Sequence, residues 1–516
     1  MGYAVTGSET WRLAASSGVM ARDTFAEVRL LDVDVRVGSP ALDNTHEIRD
    51  APWYISELRE EVVLPINGDA DATRTVLWRE TDDAWRGAKR RLTQVVSNEA
   101  VKVEREDESE DFSPAEPAEA LLDAPELTVD VDAWSARLEA LSEVFLDAPD
   151  IYESGAELVV ERELRWIVNS EGTALRVPRT HWRVALWAAT IAEDGMQLRV
   201  FDAADAHTEA ALPSQEALMA SADALAAQLT GLRNAPLLEP YTGPAVLRGH
   251  AAGVFFHEVF GHRIEGHRQK SESEGQTFKD MVGTPILPGF LSVIDDPTVE
   301  ERVGVDLNGY YLYDDEGVPS ERVDLVTDGV LNTFLLSRQP VEGQGGSNGH
   351  GRRQPGNAVV PRQGNLMVEA SESVPYDQLR AQLIEEIKRQ DKPYGVIVDD
   401  IEGGFTFTGR IVPNSFNVRP ISAWRVYTDG RPDELVRGGD LIGTPLVTFS
   451  RILGAADDVS VFNGVCGAES GWVPVSASSP SLLLEEIEIQ RKEKESDRPP
   501  LLPPPGGAEP SPEASL

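Results

Sequence analysis

The segment Val254-Phe255-Phe256-His257-Glu258-Val259-Phe260-Gly261-His262 sets two imidazoles and a carboxylate in an otherwise apolar run. Neutral imidazoles are zinc ligands, and a neighbouring carboxylate can take a proton from a water whose pKa zinc lowers toward about 7. Glu258, flanked by Phe256 and Phe260, is costly to bury without a partner. A metal-activated water is such a partner. The simpler reading is two histidines that happen to fall on a buried segment. The spacing departs from the zincin pattern, in which histidines at i and i+4 share one helix face. Here the i+4 position is Gly261, and His262 follows it. At about 100° per residue the two rings stand roughly 140° apart on a regular helix. Both reach one ion only where the helix widens, as in a π-type turn, or ends nearby, and Gly261 eases either irregularity.

A catalytic zinc takes three protein ligands and keeps one position open. Glu265, His267, His250, His350 and Cys466 qualify by residue type, and spacing does not choose among them. A lone cysteine is usually a small inert hydrophobe, although Cys466 sits in the glycine-flanked loop Asn463-Gly464-Val465-Cys466-Gly467. Arg352 and Arg353 are candidates to bind a peptide carboxylate or main-chain carbonyls. In a chain this acidic, structural ion pairing is an equally good reading of both.

The elements that position these residues divide the chain of 516 residues into two units and a tail. Residues 1–238 read as an α+β domain with an antiparallel sheet. Residues 31–37 alternate as a strand, residues 156–202 carry further strands, and Asn169-Ser170-Glu171-Gly172 marks a turn. Helices are predicted over 75–97, with Trp78, Trp85, Ala88 and Leu92 as the stripe, over 131–146, with Trp134, Leu138, Leu141 and Phe145, and over 214–232. The acidic stretch 104–119 reads as an exposed linker or loop. Pro236 and the Glu239-Pro240-Tyr241-Thr242-Gly243-Pro244 stretch mark the boundary. Residues 239–490 read as a mostly-β, barrel-like domain carrying the metal helix. A hairpin is expected from Tyr310 to Val326, a helix over 376–389 and a strand over 421–427. Residues 491–516 are a Pro-rich tail that cannot bury enough surface to fold.

The formal charge is -40, from 87 acidic and 47 basic residues. Such a surface repels nucleic-acid phosphates and anionic lipid. With no apolar run of about 18 residues, no evident signal peptide and a single cysteine, Cys466, the expected location is the cytoplasm.

The motif His257-Glu258-x-x-x-His262 followed by Glu265-Gly266 resembles the metal-binding signature of the TldD/PmbA family. Further blocks follow in order. These are Asp314-Asp315-Glu316-Gly317, Asn348-Gly349-His350-Gly351-Arg352-Arg353, Gly438-Gly439-Asp440-Leu441-Ile442-Gly443, and Gly464-Val465-Cys466-Gly467 with Val473-Pro474-Val475. The resemblance covers residues 243–489 and is loose before about residue 238. It implies that His257, His262 and Cys466 bind one zinc per chain and that Glu258 is the general acid/base. It also implies a peptidase acting on unfolded or extended peptides, held partly by strand addition, that works as a homodimer or beside a related subunit lacking the motif. His267, where an acid is expected, and His350, inside the arginine block, depart from the pattern. Substrate contacts fall to Arg352, Arg353 and His350. The other expectations to be weighed are a non-catalytic binding or assembly subunit and a metal-dependent hydrolase of non-peptide substrates.

Overall fold

The computed structural model describes residues 1–46, 61–100, 107–148, 150–271, 273–406, 408–409 and 416–492. The fold is α+β. In the N-terminal half, strand Gly2–Ser16 turns through Ser17 and Gly18, both at positive φ, into Val19–Asp34. This is the geometry a two-residue hairpin turn requires. Gly2–Ser16 also pairs antiparallel with Glu153–Asn169, which pairs with Ala174–Ile191, which pairs with Gln197–Ala206. The predicted turn after Asn169 forms, with the Asn169 side chain accepting from the Glu171 and Thr173 N–H groups.

One face of this sheet alternates Trp182, Val184, Leu186 and Ala188 inward. Helices Val131–Glu143 and Gln215–Asn234 cover that face. Trp134, Leu138, Leu141 and Phe145 are all buried against it, as their spacing predicts. The first helix, Ala70–Glu99, spans the predicted 75–97 and extends beyond it at both ends, and its predicted stripe is buried only in part. Ala88 and Val95 are buried, whereas Trp78 and Trp85 are exposed at 73% and 46%. The acidic stretch expected over 104–119 is a loop over residues 107–118, but it is not wholly exposed; residues 104–106 lie outside the described residues. Asp111 is buried and accepts from the Asp43 N–H and from His46 Nδ1, which removes the cost of its burial.

In the C-terminal half, five strands close a barrel. Tyr241–Leu247 lies parallel to Gly395–Thr406, which pairs antiparallel with Phe416–Val426, then Gly439–Gly443, then Leu482–Arg491, which returns to Tyr241–Leu247. A second sheet runs Val330–Leu331, Val323–Thr327, Leu291–Asp295, Asn365–Ala370, Gly471–Ser479, Ser460–Ala468. The hairpin expected from Tyr310 to Val326 does not form. Only Tyr313 bridges Pro319, and Val323–Thr327 pairs instead with Leu291–Asp295. The acidic turn there is held because Asp314 accepts the N–H groups of Glu316, Val318 and Gly351. Helix Tyr376–Arg389 forms as predicted.

Helix Gly249–Val259, which carries the motif, packs between barrel and second sheet. It is apolar apart from His250, His257 and Glu258, as a helix buried over most of its surface must be. A Cβ on Gly253 would lie 3.0 Å from the Ala477 carbonyl oxygen, so glycine there permits the close approach to the second sheet. The expected tail, from residue 493 onward, lies outside the described residues.

Candidate metal centre

The motif helix ends at Val259, and a tight 3-10 turn over Gly261–Arg263 follows. Of the two irregularities that could align the imidazoles, the chain uses the helix end. The rings of His257 and His262 meet edge to face, their centroids 5.2 Å apart. Gly261 has a further role. A Cβ there would fall 1.9 Å from Gln363 Oε1, so the missing side chain makes room for Gln363, whose Nε2 donates to the His257 carbonyl at 3.3 Å.

Cys466 reaches the rings from strand Ser460–Ala468 of the second sheet. Its Sγ lies 3.3 Å from His262 Nε2. One donor atom from each of His257, His262 and Cys466 falls within 4.8 Å of the others, and all three residues are buried. Ligands at zinc bonding distances of 2.0–2.3 Å stand roughly 3.3–3.8 Å from one another in a tetrahedron. The cluster is close to that size. His257 Nδ1 is buried without a hydrogen-bond partner. Burial pushes the Cys466 thiol up, but His262 and His257 outweigh it and hold the thiol well below its usual range. Burial in turn disfavours the imidazolium forms, and the thiolate overrides it to raise both histidines. Two nitrogens and a thiolate are a soft-to-borderline donor set that fits zinc.

Around this cluster lies a supporting layer, of which the sequence singled out only Glu265, as a candidate ligand. Glu265, completely buried, faces His262 Nδ1 at 3.3 Å. It therefore accepts the Nδ1 proton and leaves Nε2 directed at Cys466. Arg268 Nε and Arg362 Nε approach the same carboxylate at 2.9 and 3.3 Å. Burial pushes Glu265 up, but His262, Arg268 and Arg362 bring it down to about 2. Arg362 also donates to the Cys466 carbonyl at 2.8 Å, tying the cysteine strand to the histidine turn. Glu265 had a local signal, its position three after His262. Arg362 and Gln363 had none.

Glu258 is on the open side, its side chain 13% exposed and Oε2 3.9 Å from His262 Nε2. The remaining ligand candidates have other partners: His267 contacts the Glu469 carboxylate, His250 that of Asp400, and His350 Nε2 that of Asp295. His350 is fully buried, which removes it from substrate contact. The ion-pair alternative holds for Arg353, which bonds both oxygens of Asp34 at 3.0 and 2.9 Å. Arg352 behaves differently. It is buried, donates to the Gln363 carbonyl at 2.5 Å and stacks over Tyr311.

A barrel and an open sheet thus grip a largely apolar helix with a His/His/Cys cluster at its end, and the comparisons fall on this half of the chain. Residues 240–491 match the PmbA/TldA metallopeptidase C-terminal domain. Through that half, the chain belongs to the PmbA/TldD family. A Haemophilus influenzae protein named as a metalloprotease TldD homolog is 30% identical over 48% of this chain and 48% of its own length. A metalloprotease of Methanothermobacter thermautotrophicus is 29% identical over 62% of this chain and 66% of its own. The chain spans about half the length of the first of these curated relatives. Across the whole fold, a Thermotoga maritima protein named as a modulator of a DNA gyrase aligns with a TM-score of 0.62 at 15% identity, covering 95% of both chains. TldE of Thermococcus kodakarensis aligns at 0.59 and 14% identity, covering 95% of this chain and 96% of its own. No helix among the described residues is long and apolar enough to cross a membrane.

Proposed function

We propose that this chain is a zinc-dependent peptidase that hydrolyses unfolded or extended peptides, with His257, His262 and Cys466 as metal ligands and Glu258 as general acid/base. The observation that carries the reading is the convergence of three buried donor atoms within 4.8 Å, beside the one partly open carboxylate of the motif. The metalloprotease names of the sequence relatives support the same chemistry.

Zinc held by His257, His262 and Cys466 would supply Lewis-acid chemistry toward a scissile carbonyl and a water. Glu258 takes a proton from the attacking water at a carboxylate oxygen and delivers it to the leaving amine. Glu265 holds the proton on His262 Nδ1 throughout, so that Nε2 stays a lone-pair donor. Gln363 and Arg362 fix the backbone of His257 and Cys466, and the apolar walls of the motif helix exclude bulk water from the ligands. The partner we propose is a second copy or a related subunit, in line with the fold shared with TldE.

Hydrolysis of an unstructured peptide mixture, followed by mass spectrometry, tests this. Glu258→Gln is expected to keep its metal and lose about 10²–10⁴-fold in turnover. Full turnover in Glu258→Gln would exclude the mechanism. A metal-loaded wild type that cleaves nothing would favour the binding-subunit reading suggested by the gyrase-modulator name of one structural neighbour.

A further inference from the structure

A cavity of about 400 Å³ lies where the N-terminal sheet meets the C-terminal half. One wall is strand Ala174–Ile191, through Val177 and Arg179; the other includes Tyr311, Arg352 and Val473. Val473 is the cross-strand partner of Cys466, and the two are buried in one cluster. Arg352 bonds the Gln363 carbonyl, while the Gln363 side chain bonds His257. The cavity wall is thus built on the same strands and loops that hold the His/His/Cys cluster.

The charges lining the cavity are unequally matched. Arg165 pairs with Glu163 and Asp315, and Arg353 with Asp34. Asp314 accepts three backbone N–H groups, and Glu300 accepts the Tyr310 hydroxyl. Two guanidiniums remain, one from each half of the chain. Among the described residues, Arg179 bonds the side-chain and backbone oxygens of Asn308 and feels Glu161 without pairing with it, and Arg352 bonds a carbonyl and stacks on the face of Tyr311. Neither has a carboxylate within ion-pair distance among the described residues, and Arg352 is only 7% exposed. Asp295, the acid that Arg352 feels, is itself engaged by the Gly364 and Asn365 N–H groups. Burial, with Arg362 and Arg179 nearby, lowers Arg352 to about 10. A buried guanidinium without a counter-ion is costly. In a chain of net charge -40 it is also an exception, because carboxylates are abundant.

We infer that Arg179 and Arg352 form a carboxylate-binding subsite, one arm from each half of the chain, that anchors a peptide substrate through its free C-terminal carboxylate. The inference rests on the peptidase reading for the nature of the ligand. A guanidinium fork matches a carboxylate, and Val177, Ile167 and Leu312 offer apolar surface for the adjoining residues.

The test is calorimetric titration of the metal-loaded Glu258→Gln protein with one short alanine-rich peptide as free acid, as C-terminal amide, and as an amide carrying an internal glutamate. The free acid is expected to bind roughly ten-fold or more tightly than the plain amide. Arg179→Gln and Arg352→Gln are each expected to abolish that difference. The glutamate amide binding as well as the free acid keeps the subsite and assigns it to acidic side chains as well. Equal affinity of acid and plain amide overturns the inference, as does a preference that survives both substitutions. Arg179 is only half-buried, so its variant remains informative if Arg352→Gln fails to fold. Turnover of the same peptides by unaltered protein is read separately. Turnover without acid preference leaves the peptidase and removes the subsite. Acid preference without turnover supports the subsite and removes the peptidase.

Discussion

Glu265 is completely buried, yet it faces His262 and two guanidiniums and is brought down to about 2. Its folded pKa lies below the ordinary value of 4.5, so between those values the unfolded chain binds the extra proton. The stabilisation, roughly 3 kcal/mol by linkage, is full above about pH 4.5 and is lost as pH falls toward about 2. Urea midpoints measured across that window should fall with acidification, and Glu265→Gln should flatten the fall while lowering stability at neutral pH. The same substitution is expected to weaken metal binding about 10–100-fold in a chelator competition, because His262 loses the group that fixes its Nδ1 proton. Unchanged affinity would mean that Glu265 serves the fold alone. The two histidines and Glu258 were legible from residue type and spacing. Arg362 and Gln363 were not, because their partners come from segments distant in the chain and no local pattern announces them.

At the scale of elements, periodicity states which residues share a face but not what covers it. The stripe Trp134, Leu138, Leu141, Phe145 is buried because a sheet face and a second helix lie against it. The equally regular Trp78 and Trp85 remain exposed. Leu138→Ala should therefore cost about 2–5 kcal/mol in denaturant unfolding, and Trp78→Ser less than about 0.5 kcal/mol in the isolated chain. A large loss for Trp78→Ser would show that this helix face is covered in solution. Apart from residues 31–34, strands Gly2–Ser16 and Val19–Asp34 escaped the sequence reading, since much of the second is exposed and carries charges without clean alternation. The Tyr310–Val326 hairpin was misread because turn residues locate a reversal but do not choose the strand's partner. Val323–Thr327 joins Leu291–Asp295 instead. Gly261→Ala tests the end of the motif helix. It should displace Gln363, break its bond to the His257 carbonyl and cost about 1–3 kcal/mol.

For the whole molecule, the two halves are joined by charge. Arg338 forms a two-pronged pair with Glu171 at 2.6 and 2.7 Å, and Arg353 does the same with Asp34. Phe112 is held between the guanidiniums of Arg36 and Arg338. Arg353 also lines the inter-domain cavity, and Arg353→Gln, which removes its charge pairing with Asp34, should lower the urea unfolding midpoint. The net charge of -40 works against compactness. Raising monovalent salt from about 10 to about 200 mM should therefore raise the melting temperature by screening self-repulsion, whereas a fall would mean that the inter-domain pairs dominate.

The proposed zinc site needs both the end of the motif helix and the cysteine strand. Metal per chain, measured by mass spectrometry on the purified protein and on three variants, tests it most directly. The expected result is one zinc per chain in the unaltered protein and in His267→Ala, and none in His262→Ala or Cys466→Ser. Zinc retained in Cys466→Ser, or lost in His267→Ala, would contradict the His/His/Cys assignment.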